Sequence, residues 1–378
     1  MAIINGGSGD DIRYGGNAVD TMFGKGGDDV LFGRDGGDSL FGGDGSDFLR
    51  GEGGNDTLYG DAGGDLLNGG NGTDTVDFSA AQAGVEVDLG LGLATGAFDT
   101  DALVSIENAI GGDEDDTLAG SAGANALWGG DGYDSIDGGA GNDRVWAGSD
   151  DDFAGGGDGN DSVYGGSGDD FVYGGNGADR LFGESEGDII WGGEGDDRMW
   201  GGSGSDFLDG DEGDDQIRGG AGADWLRGYT GNDTLQGEDG ADSLEGSSGN
   251  DVVNGGNGND SLDGGDDDDL LTGGSGNDVF IYQYYGFLGS DDDRITLFVR
   301  GQDKLLVLGA ANDTDTVFDR LDSNSDGRIT DADAFAARAG SALVLDIAGI
   351  SDFPGDPGSL ALGGVTQLTR ADFADGLV

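Results

Sequence analysis

Residues 255–263 read GGNGNDSLD and residues 273–281 read GGSGNDVFI, two copies of a nine-residue unit, GGxGxDxUx, in which U is apolar. Outward from these copies, the unit fills residues 6–77 eight times and residues 111–281 nineteen times without losing register. Of the 27 units, 26 carry aspartate at the sixth position, 22 carry glycine at the fourth, and 25 carry Leu, Ile, Val, Met or Phe at the eighth. The departures are Asn125 at the sixth position, Arg13 and Ala154 at the eighth, and Ala18, Glu114, Asp150, Glu186 and Asp267 at the fourth.

Glycine at the first, second and fourth positions is expected to let the chain turn with positive φ angles that a side chain resists. Three residues, xUx, then remain for a short strand whose U faces inward while its neighbours face out. Two units close one coil, and coils stack through parallel strands about 4.8 Å apart, so the longer block predicts a stack on the order of 45 Å long. Such a core is thin. Each unit buries one aliphatic side chain, which contributes about 1.5–3 kcal/mol, against about 1–2 kcal/mol of conformational entropy for every residue ordered. Burial alone loses, and bound ions are expected to supply the difference.

Charge points the same way. The chain holds 78 acidic and 16 basic residues, a formal net charge of −62, and a compact state would repel itself without counter-ions. Nucleic acid and anionic membrane surfaces are not expected as partners, since both need basic patches and Lys25 and Lys304 are the only lysines. Cysteine and histidine are absent, which removes His/Cys zinc sites, histidine-based triads and thiol nucleophiles, while fitting an exported chain. No apolar run approaches the length of a membrane-spanning helix, and the first five residues offer no cleavable signal peptide.

Hard carboxylate and carbonyl oxygens suit calcium, which takes six to eight such ligands. The candidate ligands are the sixth-position carboxylates: Asp11, Asp20, Asp29, Asp38, Asp47, Asp56, Asp65 and Asp74 in the first block. In the second they are Asp116, Asp134, Asp143, Asp152, Asp161, Asp170, Asp179, Asp188, Asp197, Asp206, Asp215, Asp224, Asp233, Asp242, Asp251, Asp260, Asp269 and Asp278. On the order of 20 calcium ions would cancel about 40 negative charges, and folding and ion binding should be one event. Sites bordering Asn125 and the five fourth-position departures are expected to be weaker.

These units resemble the RTX, or hemolysin-type, calcium-binding repeat. The resemblance implies an all-β, right-handed parallel β-roll in which sixth-position aspartates and glycine-loop carbonyls share calcium between turns. The chain then divides into a first roll block, 1–77, a connector continuing the roll, 78–110, a second block, 111–281, and a small α+β C-terminal cap, 282–378. In the connector, Val85, Val87 and Leu89 alternate as in a half-buried strand. Past Ile281 the stretch DDDRITLFVRGQDKLLVLGAAN is similar to the cap that follows the repeats in serralysin-like exoproteins, through Asp293, Ile295, Phe298, Gly301, Asp303, Lys304 and Leu305. The tail, residues 359–378, resembles the region read by type I secretion machinery, although Asp375-Gly376-Leu377-Val378 departs from an acidic residue followed only by apolar ones.

Within the cap, Asp322, Asn324 and Asp326 with Gly327 match D-x-[DN]-x-[DN]-G, and Arg328, Thr330 and Asp333 follow at EF-hand spacing. Val317, Phe318 and Leu321 before the loop and the alanine-rich stretch around Phe335 after it read as flanking helices. The short reach of Asp333 at the twelfth position admits magnesium as well as calcium.

Ninth positions point outward, so Trp128, Trp146, Tyr164, Phe182 and Trp200, one coil apart, are expected to form an aromatic ladder, either stacking on itself or offered to a glycan or a second rod. Gly183 to Gly187 match GxSxG, yet no histidine exists to activate Ser185. No enzymatic activity is expected. The chain reads as a secreted, calcium-binding structural or cell-surface protein, or alternatively as a non-catalytic glycan- or partner-binding module. The short N-terminal lead, Ile3 and Ile4, leaves the first coil thinly covered, which favours self-association.

Overall fold

The computed structural model describes residues 1–96, 99–283, 293–299 and 302–308, with three short strands beyond: Ala336–Ala339, Ala342–Leu345 and Leu360–Leu362. Two compact units are distinguished, Met1–Glu184 and Ser185–Val378. Each is an all-β solenoid of stacked parallel strands, and no helix occurs among the described residues.

In the first unit, Val30 pairs with Phe48 and Leu31 with Leu49, and on the facing sheet Ser39 pairs with Thr57 and Leu40 with Leu58. Each of these pairings joins a residue to the one eighteen positions on, so two units make one coil, as the repeat requires. The second unit winds identically, with Leu208 on Leu226 and Ile217 on Leu235. Eighth-position residues Leu31, Leu58, Leu208 and Leu235 are 0 % exposed and form the interior ladder between the two sheets.

Strands are longer than the expected three residues. Val30–Asp35, Ser162–Ser167 and Ser261–Asp266 each run six residues, from the seventh position of one unit into the third of the next. Hydrogen-bonded pairing simply continues through the glycines, as at Gly148 with Gly166 and Ser149 with Ser167. Those are second-position glycines; the first-position residue, as at Gly24 and Gly33, is buried inside the stack beside U and outside the left-handed region.

Left-handed φ belongs to the second and fourth positions only, which corrects the expectation for the first. Gly43 and Gly45 show φ of 105° and 137°, while non-glycine residues tolerate the same geometry at Lys25 (86°), Asp150 (78°) and Asp267 (80°). At first positions glycine spares space instead, with Ala147 the one departure: a Cβ on Gly51 would lie 2.1 Å from Asp56 Oδ2 and 2.6 Å from the Gly69 carbonyl oxygen.

The connector is threaded into the first unit's two sheets. Thr100–Val104 pairs in parallel with Leu66–Asn71, and Asn108–Ile110 lies between Thr75–Asp77 and Ala126–Asp131. Glu86–Asp88 pairs in parallel with Thr117–Ala119, and Leu93–Thr95 fills the gap, antiparallel to both Glu86–Asp88 and Thr100–Val104. Val85, Val87 and Leu89 are all buried, as their alternation predicts. One sheet thus carries two strands here that the other lacks.

Beyond the repeats, Arg294–Thr296 adds to Leu270–Ser275, and Lys304–Leu308 to Val279–Gln283. Residues Ala336–Ala339 form a strand antiparallel to Ala342–Leu345, not the helix expected after the EF-hand-like loop. Pairing with an aliphatic partner strand overrides the helix preference of a four-residue alanine-rich stretch. The loop itself, Asp322 to Asp333, lies outside the described residues, as does most of the tail.

Candidate metal-binding ladders

The turn between strands brings the sixth-position aspartate inside, because its own unit's glycines leave no side chains to exclude it. Its Oδ1 accepts the backbone N–H of the corresponding residue one coil earlier. In the first unit this joins Asp11 to Asp29, Asp29 to Asp47 and Asp47 to Asp65 along one edge, and Asp20 to Asp38, Asp56 and Asp74 along the other. After the connector the edges continue as Asp116, Asp134, Asp152 and Asp170, and as Asn125, Asp143, Asp161 and Asp179. The second unit repeats the pattern through Asp188, Asp206, Asp224, Asp242, Asp260 and Asp278 on one edge. Asp197, Asp215, Asp233, Asp251 and Asp269 line its other edge.

Four residues outside the nonapeptide blocks occupy the same rung. Asp101 Oδ1 accepts Asp65 N–H at 2.9 Å, Glu107 Oε2 accepts Asp74 N–H at 2.8 Å, Asp293 Oδ1 accepts Asp269 N–H at 3.1 Å and Asp303 Oδ1 accepts Asp278 N–H at 3.3 Å. Each retains the aspartate-or-glutamate, any, apolar half of the repeat, ahead of Leu103, Ala109, Ile295 and Leu305. That three-residue signal was available once the glycines were no longer demanded.

The second carboxylate oxygen is the telling one. Among the described residues, Oδ2 of Asp29, Asp38, Asp47, Asp56, Asp65 and Asp74 in the first unit is buried with no hydrogen-bond partner. Asp134, Asp143, Asp152 and Asp161 share this state, and so do Asp206, Asp215, Asp224, Asp233, Asp242, Asp251, Asp260 and Asp278. A buried polar atom without a partner costs about 1–3 kcal/mol, and more when charged. Burial, followed by the like charges of neighbouring rungs, pushes Asp65, Asp134 and Asp251 up to about 7 and Asp152 and Asp215 up to about 8. Asp20, near the start of the stack, is held below the usual range because Gly16 N–H and then Ala2 N–H donate to it.

Beside most of these Oδ2 atoms a backbone oxygen faces the same narrow space. The Gly42 carbonyl meets Asp29 Oδ2 beside Gly24, and the Gly264 carbonyl meets Asp251 Oδ2 beside Gly246. Among the described residues, no three Asp, Glu, His or Cys side chains converge on one point, so a cation held here takes carbonyl oxygens as well as carboxylates. That all-oxygen donor set is the one calcium prefers. Asn125 departs as its sequence implies. Its Nδ2 donates to the Glu107 carbonyl at 2.5 Å, so an amide N–H stands where other rungs present oxygen.

A second ladder went unread in the sequence. Fifth-position Asp and Asn accept, through Oδ1, the N–H one coil later: Asp196 from Asp214, Asp214 from Asn232 and Asn232 from Asn250, at 2.7–3.1 Å. The frequent Asp or Asn just before the sixth-position aspartate was the available sign. On the outer face, Trp128, Trp146, Tyr164 and Phe182 stack at 4.8, 5.8 and 4.7 Å with planes within 5°. Trp200 belongs to the second unit.

A profile described as the RTX calcium-binding nonapeptide repeat matches in overlapping copies from residue 14 to 76 and from 110 to 280, more than half of the chain. No curated protein sequence matches. Among solved structures, the extracellular lipase LipA from Serratia marcescens is similar at 16 % identity and a TM-score of 0.20, over 70 % of this chain and 40 % of the lipase chain. That superposition is too loose to carry inference, and the chain spans well under half of the lipase's length.

Proposed function

The chain belongs to the RTX calcium-binding nonapeptide repeat family, and on that premise we propose that it is a secreted protein whose ordered state is made by binding many calcium ions. The observation that supports this reading is the file of buried Oδ2 atoms with no partner. When bound, calcium supplies the positive charge that carboxylate and carbonyl oxygens of the turns would coordinate. Sixth-position carboxylates accept the upstream N–H through Oδ1, and their Oδ2 atoms, with loop carbonyl oxygens, would hold the ion.

Extracellular calcium suits such sites, since modules of this class bind at about 0.1–1 mM. Inside a cell the same chain stays unfolded and competent for export through a type I system, aided by its C-terminal region. The roll is right-handed, as parallel strand crossovers are. The EF-hand-like loop at Asp322 to Asp333 adds a separate ion site, for calcium or magnesium. The role is structural or at the cell surface, without catalysis: no histidine or cysteine is present, and the sixth-position carboxylates are engaged in the ladders. The rings of the outer ladder cover one another, which supports a stiffening role for them over glycan binding.

Calcium titration of chelator-treated protein, followed by far-ultraviolet circular dichroism, tests the central claim. A steep gain of β signal near millimolar calcium is expected. A chain already fully folded in chelator would sink it.

A further inference from the structure

Gly155 is a glycine the backbone does not need. A Cβ built on it meets only the Ile136 carbonyl oxygen, at 3.7 Å, and its φ lies outside the left-handed region. It occupies an outward ninth position in register with Asp137 on one side and Tyr173 on the other. On the facing sheet the equivalent column carries rings that cover each other at 4.7–5.8 Å. Here the glycine, itself buried at the floor of the column, sets no side chain beside Tyr173, and two strand steps, about 9.6 Å, separate the Asp137 and Tyr173 positions. That spacing admits one inserted layer.

The result is an open recess of about 490 Å³ in the first unit, with Phe153 and Tyr173 as aromatic walls and Asp137, Asp158 and Asn176 as its polar rim. Phe153 and Tyr173 are 47 % and 39 % exposed, and Asn176 Nδ2 donates to Asp158 Oδ1 at 2.6 Å, which fixes that side of the rim. No lysine or arginine lines the recess, and two carboxylates do. Charge complementarity therefore selects a cation, and the aromatic walls select one with an apolar surface, which stacks on a ring face where a strongly hydrated metal ion does not. We propose that the Gly155 recess binds a small organic ammonium ion, seated against Tyr173 and neutralised by Asp137 and Asp158. This rests on the folded first unit alone and is independent of export or surface role.

The test uses the full chain in saturating calcium, titrated with choline and, in parallel, with its neutral isostere 3,3-dimethylbutan-1-ol, by calorimetry or saturation-transfer NMR. Choline is expected to bind at least about tenfold more tightly than the isostere. Gly155→Tyr, which fills the recess with a ring as in the facing column, is expected to lower choline affinity at least about tenfold with an unchanged circular dichroism spectrum. Asp137→Asn should weaken it severalfold. If Gly155→Tyr fails to fold, Tyr173→Leu takes its place with the same expectation. No choline binding by the parent chain, equal binding of the isostere or of glucose, displacement by further calcium, or unchanged affinity in the filled variant would each overturn the proposal.

Discussion

At the scale of single residues, the nonapeptide separates two reasons for glycine. Gly54, at a fourth position, has φ of 128°, and a Cβ there would stand 1.4 Å from the Gly36 carbonyl oxygen. Gly51, at a first position, lacks unusual φ and is glycine because Asp56 Oδ2 and the Gly69 carbonyl oxygen fill the space. The spacing showed that both are glycine, but only the packing of one coil on the next distinguishes conformational need from spatial need. Gly51→Ala should therefore lower the unfolding midpoint of the calcium-loaded chain, by about 1–3 kcal/mol in the manner of an overpacked core. Gly155→Ala should leave it nearly unchanged. Guanidinium titration of both variants compares them, and equal midpoints would contradict the spatial account. The sixth-position carboxylates were legible because their phase is strict. Asp101, Glu107, Asp293 and Asp303 were not placed on the ladder, since the glycines that frame the motif are missing around them.

Strands and turns show where periodicity stops informing. The apolar eighth position announced the inward face, and every such residue from Met22 to Leu271 is buried. Strand length was misjudged because glycine, a poor strand former by propensity, is carried into the sheet by its pairing with the same glycine one coil away. The inserted strand Leu93–Thr95 was likewise hidden: its partners are set by a local reversal, and the alternation of Val85 to Leu89 does not say on which side a hairpin will lie. The aromatic ladder was foreseen from an eighteen-residue step, and its near-parallel planes make it a continuous brace along the first unit. Trp146→Ser removes two ring contacts, each contributing about 0.5–1.5 kcal/mol beyond burial, so thermal unfolding in calcium should begin earlier by about 1–3 kcal/mol of lost stability. An unaltered melt would assign the ladder some role other than bracing.

For the molecule as a whole, a net charge of −62 and the interior rungs make acidity a second control beside calcium. The folded pKa of Asp65, Asp134, Asp152, Asp215 and Asp251, at about 7 to 8, lies above the ordinary 3.8 that each has when unfolded. A raised value contributes stability that is complete below the unfolded pKa and is lost as pH climbs through the folded one. Metal-free protein should therefore be most ordered near pH 4 and lose β structure progressively as pH climbs from there to about 8. With calcium present the sign reverses, because ion binding needs ionised carboxylates and weakens on acidification. Circular dichroism across that range, with and without chelator, reads both limbs, and a pH-independent spectrum in chelator would contradict this reading.

The sixth-position hydrogen bonds all point the same way along a stack. In every pair the carboxylate belongs to the later coil and the N–H to the earlier, as from Asp197 to Asp215 and from Asp278 to Asp303. Each stack is therefore a vectorial polymer with two unlike ends. Its leading end presents carboxylates, of which Asp20 in the first unit receives the Ala2 N–H from outside the repeats, whereas its trailing end presents N–H groups. Asp293 and Asp303 close that trailing end in the second unit, a stopper built from acids rather than from apolar bulk.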